Sequence, residues 1–230
     1  MKRAGFTLAE IIITLGIIGV VAAMTMPALM GEINDRKAVS ILKQDYSILS
    51  QMMLRANDDG AVAALSSHND FSQMEYVFKN YFLPYINTVE TCYDTAGCWS
   101  QNITKKLNGS NATHFQAGKV GSGVICFSIT NGSNVCLDDY STEEAWSDFG
   151  VKIDGASSDT YTLVVFVDIN GHRIPNVLGR DTFVYVLRDN TLVPAGFDKN
   201  DDELRSDCKM SGTGNFCAAY LEKNGYKLDY

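Results

Sequence analysis

From Phe6 to Leu29 the chain is apolar at nearly every position, and Glu10 is the only charge in the run. A stretch of roughly 20 apolar residues suffices to cross a bilayer as a helix, so a transmembrane helix is predicted over residues 6–29. Beyond residue 30 the pattern changes. Val39, Leu42, Tyr46, Leu49 and Met53 recur at alternating spacings of three and four, Ile41, Ile48 and Met52 widen the stripe, and Lys43, Ser47 and Arg55 lie off it. That is an amphipathic helix over residues 30–58 whose apolar face lies across a sheet. Asn57-Asp58-Asp59-Gly60 supplies a cap and a turn. Phe6 to Asn57 would then be one helix roughly 78 Å long at about 1.5 Å per residue. Pro27 lacks a backbone donor and clashes with the Ala23 carbonyl, which predicts a bend or local melting there.

Residues 69–83 place Phe71, Met74, Val77, Phe78 and Tyr81 on one side of a second helix, ended by Pro84. Residues 100–123 are polar and rich in Gly, Asn and Ser, and read as a long surface excursion with at most one short element. The N-x-S/T triplets inside it mark only a polar segment. Two β-rich runs then flank Asn131-Gly132, a strong hairpin signal. Further strands are predicted at Thr160–Ile169, Thr182–Asp189 and Thr191–Gly196. Helices gathered first and strands with tight turns after them indicate an α+β domain on an antiparallel sheet. No internal repeat is present.

At 230 residues and 46% hydrophobic composition, the chain can bury one core with an appendage. A net charge of -8 offers no basic surface for a phosphate backbone, so nucleic acid is not indicated as a partner. Lys2 and Arg3 precede the apolar run and hold that end in the cytoplasm, which sends the rest of the chain across the membrane. A secretory signal cleaved after Val21-Ala22-Ala23 is the simpler alternative. The apolar run is too long for one, and Glu10 would only hinder it.

A carboxylate in hydrocarbon costs about 2.5 to 3.5 kcal/mol on insertion scales, so Glu10 calls for a partner. The order of residues suggests one. A short basic leader ends in Gly5, Phe6 follows, and Glu10 comes five residues after Gly5. "GFTLAEIIITLGIIGVVAAMTMPAL" closely resembles the N-terminal motif of type IV pilins and type II secretion pseudopilins. The resemblance implies that a prepilin peptidase cuts between Gly5 and Phe6, removing residues 1–5, and N-methylates Phe6. The new amine is the implied partner of Glu10, on a neighbouring subunit during assembly. Attraction between two such charges is far stronger in a low dielectric than in water. Gly19 and Ala23 form a small-xxx-small pair that suits helix packing in lipid.

The six cysteines, Cys92, Cys98, Cys126, Cys136, Cys208 and Cys217, all follow the membrane segment and suit an oxidising compartment. Pairing 92 with 98, 126 with 136 and 208 with 217 closes three short loops, the middle one across the Asn-Gly hairpin, although sequence alone leaves other connectivities open. The spacings show no CxxC and no neighbouring histidine, which disfavours zinc.

Residues 168–183, "DINGHRIPNVLGRDTF", resemble a stretch of pilin-like proteins, and in the major pseudopilins a calcium ion orders a loop in this region. Asp168, Asn170 and Asp181 are the hard oxygen donors that Ca²⁺ prefers, although Asp-x-Asn-Gly is equally an ordinary turn former. Residues 198–203, "DKNDDE", read as a solvated acidic loop. His68, His114 and His172 stand in unrelated contexts with no catalytic motif, so no enzyme is indicated.

The expected organisation is a leader at 1–5, a membrane helix at 6–29, its amphipathic continuation at 30–58 and a periplasmic or extracellular α+β domain at 59–230. The resemblance implies an inner-membrane subunit that joins a filament with other pilin-like subunits, an assembly ATPase and a platform protein. A type II secretion pseudopilin is the first reading and a type IV pilus subunit for adhesion or DNA uptake the second. A Sec-exported binding domain is the third.

Overall fold

The computed structural model describes residues 7–61 and 70–230 and divides into two compact units, Met1–Ser40 and Ile41–Tyr230. Helix α1 runs from Leu8 to Asp58. In the first unit its side chains are exposed on all sides, with Leu8, Ile12, Leu15, Ile18 and Met24 among them. The segment is long and apolar enough to cross a membrane. Of the bend or local melting expected at Pro27, the melting is absent, because α1 continues through it. Proline removes a single donor, and the helix formers on either side carry the helix past it.

In the second unit the predicted apolar stripe is buried, with Leu42, Leu49, Met52 and Met53 at 0–1% exposure. α1 ends at Asp58, and Gly60 takes a positive φ of 95° in the turn that follows. Helix α2, Phe71–Val77, continues as a π-turn, Phe78–Phe82, and a 3₁₀ turn, Leu83–Tyr85. Its Phe78 ring lies 5.4 Å from that of Phe127.

The main sheet contains β1 (Thr88–Tyr93), β4 (Ile125–Ile129), β5 (Asn134–Ser141), β6 (Tyr161–Asp168), β7 (Thr182–Arg188) and β8 (Thr191–Pro194). They lie in the order β1-β4-β5-β6-β7-β8, every neighbour antiparallel. β2 (Phe115–Gln116) and β3 (Lys119–Val120) form a small separate ribbon. α3 (Thr142–Ser147), α4 (Asp201–Asp207) and α5 (Cys217–Lys223) complete the α+β fold.

Alternation along the strands gives the sheet two buried faces. On one, the Tyr46 ring of α1 lies tilted 5.4 Å from that of Tyr185 and its hydroxyl donates to the Leu192 carbonyl at 3.0 Å. The opposite face is covered by the segment read from sequence as a surface excursion. Phe115, within that segment, stacks at 5.6 Å on Trp99, the fully buried residue just before it, and meets Phe166 edge-on. A few apolar anchors among many polar residues are enough to lay this segment on the sheet, which composition alone could not reveal. The acidic stretch 198–203 is likewise more than a solvated loop. Asn200 caps α4, accepting from Glu203 N–H at 2.9 Å while the Glu203 carboxylate accepts from Asn200 N–H at 2.9 Å.

Three disulfides staple this unit: Cys92–Cys98, Cys126–Cys136 and Cys208–Cys217. Cys126 and Cys136 are direct partners in the β4–β5 register, with Cα atoms 4.0 Å apart.

Candidate functional site

Two places carry residues singled out in the sequence. At the start of α1, Glu10 sits in the first turn. Its carboxylate accepts from the Thr7 N–H and the Thr7 hydroxyl, both at 2.8 Å, and the Thr7 hydroxyl accepts from Glu10 N–H at 3.3 Å. This is a reciprocal capping box, and T-x-x-E was its signal in the sequence. Gly5 and Phe6, the expected processing residues, lie outside the described residues, as does His68.

The second place is the connection between β6 and β7. Asp168 closes β6 with no exposed surface, and Asp181 precedes β7 at 5% exposure. The Asp168 Oδ1 accepts from the N–H groups of Asn170 and Gly171, both at 3.1 Å, which folds the chain back at the strand end. Asn170 Nδ2 then donates to Asp181 Oδ2 at 2.8 Å and to the Pro175 carbonyl at 2.9 Å. Asp181 Oδ1 accepts from Val177 N–H at 2.6 Å. Asp168, Asn170 and Asp181 are thus one cluster, while His172 to Pro175 stay exposed at the tip of the loop.

Burial and the nearby Asp181 carboxylate push Asp168 up to about 9, and burial pushes Asp181 up to about 7. The cluster also holds unspent oxygen atoms. Of the nine buried side-chain polar atoms without a hydrogen-bond partner among the described residues, five lie on this connection or on the strands beside it. They are Asp168 Oδ2, Asn170 Oδ1, Asn176 Oδ1, Thr182 Oγ1 and Asn134 Nδ2. Asn134, Asp168 and Thr182 are register partners across β5, β6 and β7, so their side chains form a row on one face. A buried polar atom left unmatched costs about 1 to 3 kcal/mol. Two carboxylates sharing a dry site with spare oxygen donors fit a hard divalent cation, which would offset both the repulsion and the unmatched oxygens.

The other sequence candidates fall elsewhere. All six cysteines are in disulfides, which leaves no thiolate for zinc; the Cys-containing acidic clusters around Cys92 and Cys208 are built on these bonded sulfurs. His114 is half-buried against Tyr140 and Phe149, where burial lowers its pKa, and its Nδ1 lies 3.2 Å from the Tyr140 hydroxyl. Sequence reading missed Asp45, a fully buried carboxylate on the apolar face of α1. A lone acid at a stripe position was the available signal.

Comparison with known proteins adds one match. Residues 1–26 match the prokaryotic N-terminal methylation motif. The chain therefore carries the type IV pilin and pseudopilin signal, on an α+β protein with a long N-terminal helix and three disulfides. That motif implies processing by a prepilin peptidase and assembly with like subunits. No match to a curated protein or to a solved structure was found.

Proposed function

We propose that this chain is a pseudopilin, held in the inner membrane by residues 6–29, that assembles into a type IV pilus-like filament serving type II protein secretion. The observation that carries this reading is the methylation motif at the head of a helix that opens on a long apolar segment, with one carboxylate in its first turn. Cleavage between Gly5 and Phe6 would create the cation that Glu10 lacks. Each subunit's Glu10 would then meet the Phe6 amine of a neighbour, so that entering the filament relieves an electrostatic cost borne in lipid. An assembly ATPase and a platform protein would supply the work.

The cluster at the β6–β7 connection is proposed to hold a structural Ca²⁺ through Asp168, Asn170 and Asp181. The ion would supply charge neutralisation and oxygen coordination, fixing the loop without taking part in any reaction.

One surface favours a second reading, a type IV pilus subunit for adhesion or DNA uptake. Lys199 and Lys152 lie over the Trp146 ring at 4.0 and 4.8 Å, and Arg188 lies over Phe197 at 4.4 Å. Cations among aromatics are what such a partner requires. Asp198 pairs with Arg188 and Glu203 with Lys199, so the surface is close to neutral, and secretion is placed first. Deleting the gene discriminates the two. Loss of exported enzymes with pilus functions intact supports the secretion reading, and the reverse pattern refutes it.

A further inference from the structure

The turn of the β4–β5 hairpin stands between two buried acidic places. On one side, Asn131 Nδ2 donates to Asp45 Oδ1 of α1 at 2.5 Å. The other Asp45 oxygen is buried without a hydrogen-bond partner, and burial raises the acid's pKa against the opposing pull of the Ser133 hydroxyl and the Asn131 amide. On the other side, Ser133 Oγ donates to the Ile169 carbonyl at 3.4 Å. The Gly132 carbonyl approaches Gly171 so closely that a Cβ on that glycine would lie 2.4 Å from it. Asn134, at the end of the turn, is the strand partner of Asp168. The turn is braced internally as well, because the Asn131 Oδ1 accepts from Ser133 N–H at 3.1 Å. Asn131 thus spends one end of its amide on α1 and the other on the residue that reaches the β6–β7 loop.

We propose that this turn couples the occupancy of the 168–181 cluster by a divalent cation to how firmly residues 42–53 of α1 are held on the sheet. The proposal rests on the calcium reading above. With a cation in place, Asp168 and Asp181 cease to repel and residues 169–171 are fixed. The space between Gly171 and the Gly132 carbonyl is too small for even a methyl group, so a fixed loop limits where the turn can sit. The turn then holds Asn131 in line with Asp45. Without the cation the loop relaxes, the turn follows, and Asp45 is left with poorer hydrogen bonding in a dry setting, which loosens the helix around it. Because α1 carries the apolar segment, the state of the loop would be felt on the element that joins the filament.

Amide hydrogen exchange on the full-length chain in detergent micelles, in millimolar calcium chloride against EDTA, tests the coupling. In the unaltered chain, peptides covering 42–53 should exchange about tenfold more slowly with calcium, a typical size for coupled sites. Asn131→Ala should abolish that slowing while peptides covering 168–182 keep theirs, which separates coupling from a general gain in stability. Ser133→Ala, which removes a hydroxyl that faces both the Ile169 carbonyl and Asp45, should blunt the α1 response as well. Protection at 168–182 with none at 42–53, or a full α1 response in Asn131→Ala, overturns the coupling and leaves the calcium reading standing. No response in either segment overturns both.

Discussion

Glu10 and Thr7 cap one another at the start of α1, each side chain accepting from the other residue's backbone N–H. The cap satisfies the carboxylate's hydrogen bonding without cancelling its charge. A glutamine could preserve the cap, since capping boxes accept Glu or Gln, while removing the charge. Glu10→Gln and Glu10→Ala should therefore insert into the membrane normally and both lose filament incorporation. A loss of about tenfold corresponds to roughly 1.4 kcal/mol of missing attraction. Crosslinking of filaments in cells measures it. Normal incorporation of Glu10→Gln would assign Glu10 to helix capping alone.

The acid cluster makes a prediction with a definite sign. The folded-state pKa of Asp168 is raised from 3.8 to about 9, so without a cation the folded chain binds the proton more tightly than the unfolded one. That contribution to stability is fully present below about pH 4 and is lost as pH rises toward 9. Thermal unfolding in EDTA should show a lower midpoint at pH 8 than at pH 5.5. Calcium should restore it at pH 8 and do little at pH 5.5, where protons compete for the carboxylates.

Asp168→Asn replaces the buried acid by a neutral group of the same shape. In EDTA at pH 8 its midpoint should exceed that of the unaltered chain, and calcium should no longer raise it. A shift of roughly 2 to 4 °C per kcal/mol is the scale for a domain of this size. A calcium response undiminished in this variant would rule Asp168 out as a ligand.

Gly171 has φ of +67° and no room for a side chain against the Gly132 carbonyl. Gly171→Ala should destabilise the domain by about 1 to 3 kcal/mol through backbone strain, more if the hairpin turn shifts to avoid the clash. Urea denaturation of the variant, read as a fall in midpoint at unchanged slope, measures this.

The Cys126–Cys136 bond joins register partners within the buried sheet. Replacing both with alanine should cost about 2 to 4 kcal/mol, the usual worth of a disulfide, in the same denaturation experiment.

How much of this was legible in the sequence depends on what each residue had to signal. The stripe Leu42, Leu49, Met53 and the hairpin at Asn131-Gly132 announce themselves through local periodicity and turn chemistry, and both are present. β1 escaped notice because it is an edge strand with a mixed burial pattern, from exposed Val89 to buried Cys92, and so lacks a clean alternation. α3 and α4 are short helices whose caps, Ser141 with Glu144 and Asn200 with Glu203, were readable as capping boxes but sit in segments too short for a periodic signal. The acid cluster was nameable as residue types. What sequence could not give is its burial, the row Asn134–Asp168–Thr182 across three strands, and the contact of the hairpin turn with Asp45, all of which are products of long-range register.

The assembly mechanism depends on a positive charge that exists only after the bond between Gly5 and Phe6 is broken. Intact mass spectrometry of the chain recovered from its native membrane reads this directly. The expected species begins at N-methylated Phe6 and retains the apolar segment. A chain that still carries Met1 to Gly5, or one that begins after Ala23 with the apolar segment lost, would contradict it.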